Sequence, residues 1–146
     1  MELTPRLKLV ASLVPEGARV ADIGTDHAYL LAHLLTEGKI PFGIAADLRE
    51  GPLSRAKETA KLYGCEDRVS FRLCDGLTGL QAGEMDVIVI AGMGGETISH
   101  ILAAAPWAKQ PNISLILQPM STQPELRGWL LSNGYEMVEE HLAQEG

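Results

Sequence analysis

Ala21-Asp22-Ile23-Gly24-Thr25-Asp26-His27-Ala28-Tyr29 reads as the end of an apolar strand, a glycine turn and the entry to a helix. The apolar run Ala18 to Ile23 stops at Gly24, and Leu30, Leu31, Leu34 and Leu35 then recur at helical spacing. A strand that feeds a helix through a tight loop is half of a crossover unit. Parallel strands need such units because a hairpin cannot join them.

The same alternation continues outward. Thr4-Pro5 predicts an N-cap with proline in the first helical turn, and Leu7, Val10, Ala11 and Val14 give a leading amphipathic helix up to Pro15-Glu16-Gly17. Ile40 to Ala46 predicts a second strand ending at Asp47, followed by a helix with Leu53, Ala56, Ala60 and Tyr63 on one face. Val69 to Leu73 is a third strand, stopping at Asp75-Gly76. Met85 to Ile90 is the fourth, after which Gly94-Gly95 opens a helix with Ile98, Ile101, Leu102 and Ala105 inward. Ile113 to Leu117 is the fifth, a helix runs from Pro124 to Ser132, and Tyr135 to Glu140 is expected to begin a sixth. Nearly all-apolar strands separated by short helices predict a doubly wound, mainly parallel α/β sheet covered on both faces, with its last strand pair incomplete and the sixth strand left as an exposed edge.

Length and composition fit one domain over residues 1–146: 46% of the residues are hydrophobic, enough for one core and too few for two. No stretch approaches the roughly 18 apolar residues of a membrane span, and the N-terminus has no signal-like apolar region, so a cytoplasmic protein is expected. Cys65 and Cys74 form no C-x-x-C pair, so neither disulfides nor a metal site is expected. The formal net charge of −7, with basic residues scattered, makes the domain alone a poor polynucleotide binder, because that affinity comes largely from neutralised phosphates.

In a doubly wound sheet, ligands bind beyond the carboxyl ends of the strands. Small or acidic residues stand at four of these ends: Asp22 to Asp26, Asp47, Asp75-Gly76 and Ala91-Gly92-Met93-Gly94-Gly95. Asp47 lies at about the 20-residue spacing from Gly24 at which a second-strand carboxylate accepts hydrogen bonds from a ribose diol; it could instead cap the helix starting near Arg49-Glu50. Asp75 could accept an adenine amino proton, or serve only an Asx turn. The first loop is not the G-x-G-x-x-G of a dinucleotide site, and Asp26 would point negative charge at phosphates. Asp22 and Asp26 favour a cationic ligand instead.

The blocks Arg19 to Leu30, Asp75-Gly76-Leu77, Ile90 to Gly95 and Leu115-Ile116-Leu117-Gln118-Pro119 together resemble, in order, the bacterial tRNA adenine-N1-methyltransferase family of the TrmK type, which modifies an adenosine at position 22 in the D arm. The resemblance implies a Rossmann-like, class I S-adenosylmethionine-dependent methyltransferase fold. It implies cofactor contacts from Asp22, Gly24, Thr25, Asp47, Leu48, Asp75, Gly76, Ala91 and Gly92, with no metal. The target base would meet Met93, Gly94 and Gly95 and face Asp26, His27 and Tyr29 as candidate catalytic residues. Methyltransferases of exocyclic amines place an acid or amide, two prolines and an aromatic after the fourth strand. Here Ala91 to Gly95 stands in that place, which points to a ring nitrogen.

Alternatives stay open for single residues: His27 could cap the helix and Tyr29 could be a packing residue. Met93 also reads as a packing residue of its loop. His33, His100 and His141 lie outside the blocks, and Trp107 and Trp129 read as core or interface residues. Leu31 stands where the family often has proline. The family resemblance also implies a C-terminal helical extension beyond Gly146, which is the expected carrier of tRNA affinity; no protein partner is inferable. The competing readings are a small-metabolite methyltransferase, a non-enzymatic scaffold of the same fold and, more remotely, an NAD oxidoreductase.

Overall fold

The computed structural model describes residues 2–141. Its centre is a parallel sheet of β1 (Arg19–Ile23), β2 (Phe42–Asp47), β3 (Val69–Leu73), β4 (Val87–Met93) and β5 (Ser114–Pro119), in the spatial order β3-β2-β1-β4-β5. The α-helices among the described residues are α1 (Pro5–Leu13), α2 (Tyr29–Thr36), α3 (Glu50–Leu62), α4 (Gly95–Ala103) and α5 (Gln123–Ser132).

Successive strand residues point to opposite faces, so a strand buried on both sides must be apolar throughout. Val20, Ala45, Val87 and Val89 enter one core layer with Val10 of α1, Leu30, Leu31 and Leu34 of α2 and Ala60 of α3. Ala21, Ile23, Ile44, Ala46, Ile88 and Ile90 enter the other, with Ile98 and Leu102 of α4 and Leu126 and Leu130 of α5. This alternation is why the strands carry unbroken apolar runs.

The helices follow their local signals. Thr4 caps α1, its hydroxyl oxygen accepting from the Leu7 amide at 3.4 Å, and proline opens the first turn. Leu31 is fully buried, and its side chain fills the space that a Cβ at Gly43 would need. A leucine here therefore packs α2 tightly onto β2.

Two expectations need correction. The fourth strand begins later and runs further than its apolar core suggested: it includes Ala91, Gly92 and Met93, with an irregularity in its pairing to β5 between Ala91 and Met93. Gly92 absorbs that bulge at φ +81°. The expected sixth strand at Tyr135–Glu140 is not formed among the described residues, and β5 is one edge of the sheet, with β3 the other. The Tyr135 amide closes α5 instead, donating to the Leu130 carbonyl at 2.9 Å, and its ring packs against Trp129. Arg127 and Glu140 pair at 2.8 Å, and Val138 is left 83% exposed. With no neighbouring strand to ladder with, alternating apolar residues there have no reason to extend as a strand.

Candidate active site

The chain moves from one face of the sheet to the other between β1 and β4, which are neighbours although the sequence separates them. A cleft opens at the carboxyl ends of such a pair, because the loops after the two strands leave in opposite directions. The loop after β1 and the end of β4 therefore meet, and this brings Asp22 to Tyr29 beside Ala91 to Gly95.

The β1 loop has an unusual backbone. Gly24, Asp26 and Ala28 all have positive φ, +71°, +53° and +58°, and two of them are not glycine. Such strain persists only where surrounding bonds hold it. The Gly24 and Thr25 amides both donate to the Ala46 carbonyl, at 2.9 and 3.0 Å, and the Ala28 amide donates to the Thr25 carbonyl. Ala28 is the N-cap of α2, and no side chain caps that helix. His27 is thus free of the capping role the sequence allowed; its ring stacks on Tyr29, centroids 5.0 Å apart and nearly parallel. Tyr29 is 43% exposed, so it is a surface of the cleft more than a core residue.

The carboxylates differ sharply in setting. Asp22 is 6% exposed and accepts from the Thr25 hydroxyl at 3.0 Å. Burial pushes its carboxyl up to about 7; the Thr25 hydrogen bond and the charge of Arg6 oppose this, and the charge of Asp47 adds to it. Asp47 is also buried, its two oxygens accepting from the Asp26 amide at 3.4 Å and the Arg49 amide at 3.1 Å. Arg49, not Asp47, is the N-cap of α3, and Asp47 keeps lone pairs for another donor. Asp26 is exposed, 3.3 Å from Arg55 and 4.0 Å from the His27 ring. Asp75 is exposed, and no Asx-turn hydrogen bond occupies it among the described residues. Leu48 follows Asp47 as an apolar surface, 63% exposed, and Gly76 turns the chain after Asp75 at φ +56°.

The β4 side is built from backbone. The Met93 carbonyl accepts from the Met120 amide at 2.8 Å, the Gly95 amide donates to the Ser121 carbonyl at 2.9 Å, and the Glu96 amide donates to the Thr122 hydroxyl at 3.2 Å. A Cβ at Gly95 would lie 2.7 Å from Thr122, so only glycine permits this approach. Ala91 is half-buried, while Gly92 is exposed. Among the described residues no His, Cys, Asp or Glu group is arranged to hold a metal ion.

Three residues of this cleft were not singled out from sequence. Gln118, at the end of β5, accepts on its side-chain oxygen from the Gly92 amide at 3.1 Å and from Arg6 at 3.2 Å, tying α1 to the β4 bulge. Its position at a strand end was a readable signal. Arg6 and Arg55 come from helices distant in sequence and carried none.

A model of a methyltransferase domain matches residues 3–146. The chain belongs to this methyltransferase family. The domain is 39% identical, over 99% of its length, to the tRNA (adenine(22)-N(1))-methyltransferase of Bacillus subtilis (strain 168), of which it spans 61%. A Streptococcus pneumoniae structure in complex with S-adenosyl-L-methionine superimposes with a TM-score of 0.92 at 37% identity, covering 99% of the domain and 68% of that chain. M. capricolum TrmK in complex with S-adenosyl-homocysteine aligns with a TM-score of 0.80 at 32% identity, covering 90% and 58%. The fold is that of the Rossmann-like, S-adenosylmethionine-dependent methyltransferases, as the sequence predicted. No helix among the described residues is long and apolar enough to cross a membrane.

Proposed function

We propose that the domain binds S-adenosyl-L-methionine at the β1/β4 cleft and transfers its methyl group to N1 of an adenosine in the D arm of tRNA, at position 22, in the cytoplasm. The observation that carries the reading is the meeting of a carboxylate-lined first loop with a β4 end that offers backbone and no acid or amide side chain. The Bacillus subtilis relative, which bears that activity in its name, supports it.

The residues suit the cofactor. Asp22, whose carboxyl burial pushes up to about 7, gains from a cationic amino group, and Asp47 has acceptor capacity for ribose hydroxyls. Asp75 and Leu48 offer a carboxylate and an apolar surface for adenine, with Gly24, Thr25, Gly76, Ala91 and Gly92 completing the cradle. When bound, the group supplies a methyl on an electrophilic sulfonium. Adenine N1 has an in-plane lone pair that takes the methyl directly, leaving the C–S bonding pair on sulfur, so no strong base is needed. The protein's task is alignment. His27 and Tyr29 form a stacked platform beside the cleft, and Asp26 supplies negative charge to the base that becomes cationic. Met93, Gly94 and Gly95 form the opposite wall. tRNA affinity would come chiefly from residues beyond this acidic domain.

The test is transfer of labelled methyl from S-adenosylmethionine to purified bacterial tRNA by the protein, followed by nucleoside analysis. The expected product is 1-methyladenosine, with Asp26→Ala lowering the rate on the order of 100-fold. No transfer to any tRNA, with methylation of a small metabolite instead, would favour the small-molecule reading.

A further inference from the structure

We infer that Met93 sets the size of the alkyl group that the site accepts on sulfur, a specificity role resting on the cofactor reading above. A Cβ built on Gly24 would come within 2.3 Å of the Met93 terminal methyl and 3.9 Å of its sulfur. The tip of Met93 therefore lies directly against the glycine turn of the first loop. The cofactor sulfur is bonded to both the ribose and the amino-acid chain. With the ribose at Asp47 and the amino-acid end along the Gly24 to Asp26 loop, the S-alkyl group falls on the span between them. Gly24 and Asp47 are adjacent there: the Gly24 amide donates to the Ala46 carbonyl, and Asp47 accepts from the Asp26 amide. The Met93 tip reaches the Gly24 end of this span from the β4 side.

The backbone behind it cannot retreat. The Met93 carbonyl is bonded to the Met120 amide, Gly92 takes the bulge at φ +81° with its amide held by Gln118, and Gly94 and Gly95 are packed against Ser121 and Thr122. Met93 is half-buried and packs against the apolar residues of the α4 and α5 layer. With the backbone behind it held, a longer chain on sulfur would have to push the Met93 tip aside, whereas a methyl group asks least of it. One extra methylene in such a pocket is worth on the order of tenfold or more in discrimination.

The experiment titrates the 146-residue chain with S-adenosylhomocysteine, S-adenosylmethionine and S-adenosylethionine by calorimetry, for wild type, Met93→Ala and Met93→Leu. Wild type is expected to bind the methyl sulfonium about tenfold more tightly than the ethyl sulfonium. Measured relative to each variant's own S-adenosylhomocysteine affinity, Met93→Ala should shrink that preference to about twofold or less, and Met93→Leu, similar in bulk, should largely keep it. Equal wild-type affinity for the two sulfonium ligands, or an undiminished preference in Met93→Ala, overturns the inference while S-adenosylhomocysteine binding still upholds the cofactor site. If wild type binds none of the three, the cofactor reading fails and the inference fails with it. Loss of S-adenosylhomocysteine binding in Met93→Ala alone, with Met93→Leu normal, would assign Met93 to holding the cofactor as a whole and also overturns it.

Discussion

Gly24→Ala is expected to weaken S-adenosylhomocysteine binding by about 100-fold while leaving the domain folded. Two effects combine. The residue sits at φ +71°, where a Cβ costs roughly 1–2 kcal/mol, and the new methyl would displace the Met93 tip into the cleft. The loop is fixed at both ends by the Ala46 carbonyl and by α2, so the flexible Met93 tip moves first and takes room over the loop, while the strained φ disturbs the loop's amides. A shift of about 1 Å in a positioning element can cost about 100-fold. Calorimetry reads the affinity and thermal unfolding reads the fold; unchanged affinity in the alanine variant would show that the ligand does not lie over this glycine.

The second large effect is a pH dependence that originates in Asp22. In the unliganded protein its carboxyl is raised from 3.8 to about 7, so the group contributes stability that is fully present below its unfolded value and is lost as pH rises through 7. A cationic ligand reverses the preference, because it favours the ionised form. Binding should therefore strengthen as pH rises toward 7, by up to roughly tenfold per unit, and level off above. Asp22→Asn should flatten both trends: the variant gains stability relative to wild type near neutral pH and binds S-adenosylhomocysteine with little pH dependence. A slope that survives in Asp22→Asn would assign the titration to another group.

The parts of the fold that were legible in the sequence are those governed by local periodicity. The run Val87 to Ile90 became the core of β4 because burial on two faces demands unbroken apolar sequence, and Val69 to Leu73, with Ser70 and Arg72 between its apolar residues, became the edge strand β3. Thr4-Pro5 became a capped helix start because the orphan amides there need an acceptor. Strand ends were less visible. Gly92 looked like the turn after β4, yet it carries the strand onward through a bulge, and only its partner β5 determines that. Tyr135 to Glu140 has the composition of a strand, but pairing is a non-local property that composition does not report.

The site divides in the same way. That Asp22, Gly24 and Asp47 gather at one end of the sheet could be read because the topology of a doubly wound sheet places strand ends together. The stacking of His27 on Tyr29 and the pairing of Asp26 with Arg55 could not, since both depend on left-handed backbone at Asp26 and Ala28 and on an α3 residue far along the chain. Gln118 lay within a block already quoted for its resemblance, yet its link to Gly92 and Arg6 is purely tertiary.

The central claim is that the cleft between β1 and β4 is a site for S-adenosylmethionine with Asp47 as its ribose anchor. Titration of S-adenosylhomocysteine into the wild-type chain and into Asp47→Ala tests it most directly. Saturable one-to-one binding is expected for wild type, weakened by about 10- to 100-fold in the variant, the range of a hydrogen bond lost from a charged acceptor. Absence of binding to wild type, or equal affinity in Asp47→Ala, would contradict the account and favour a scaffold that keeps this fold without using the cofactor.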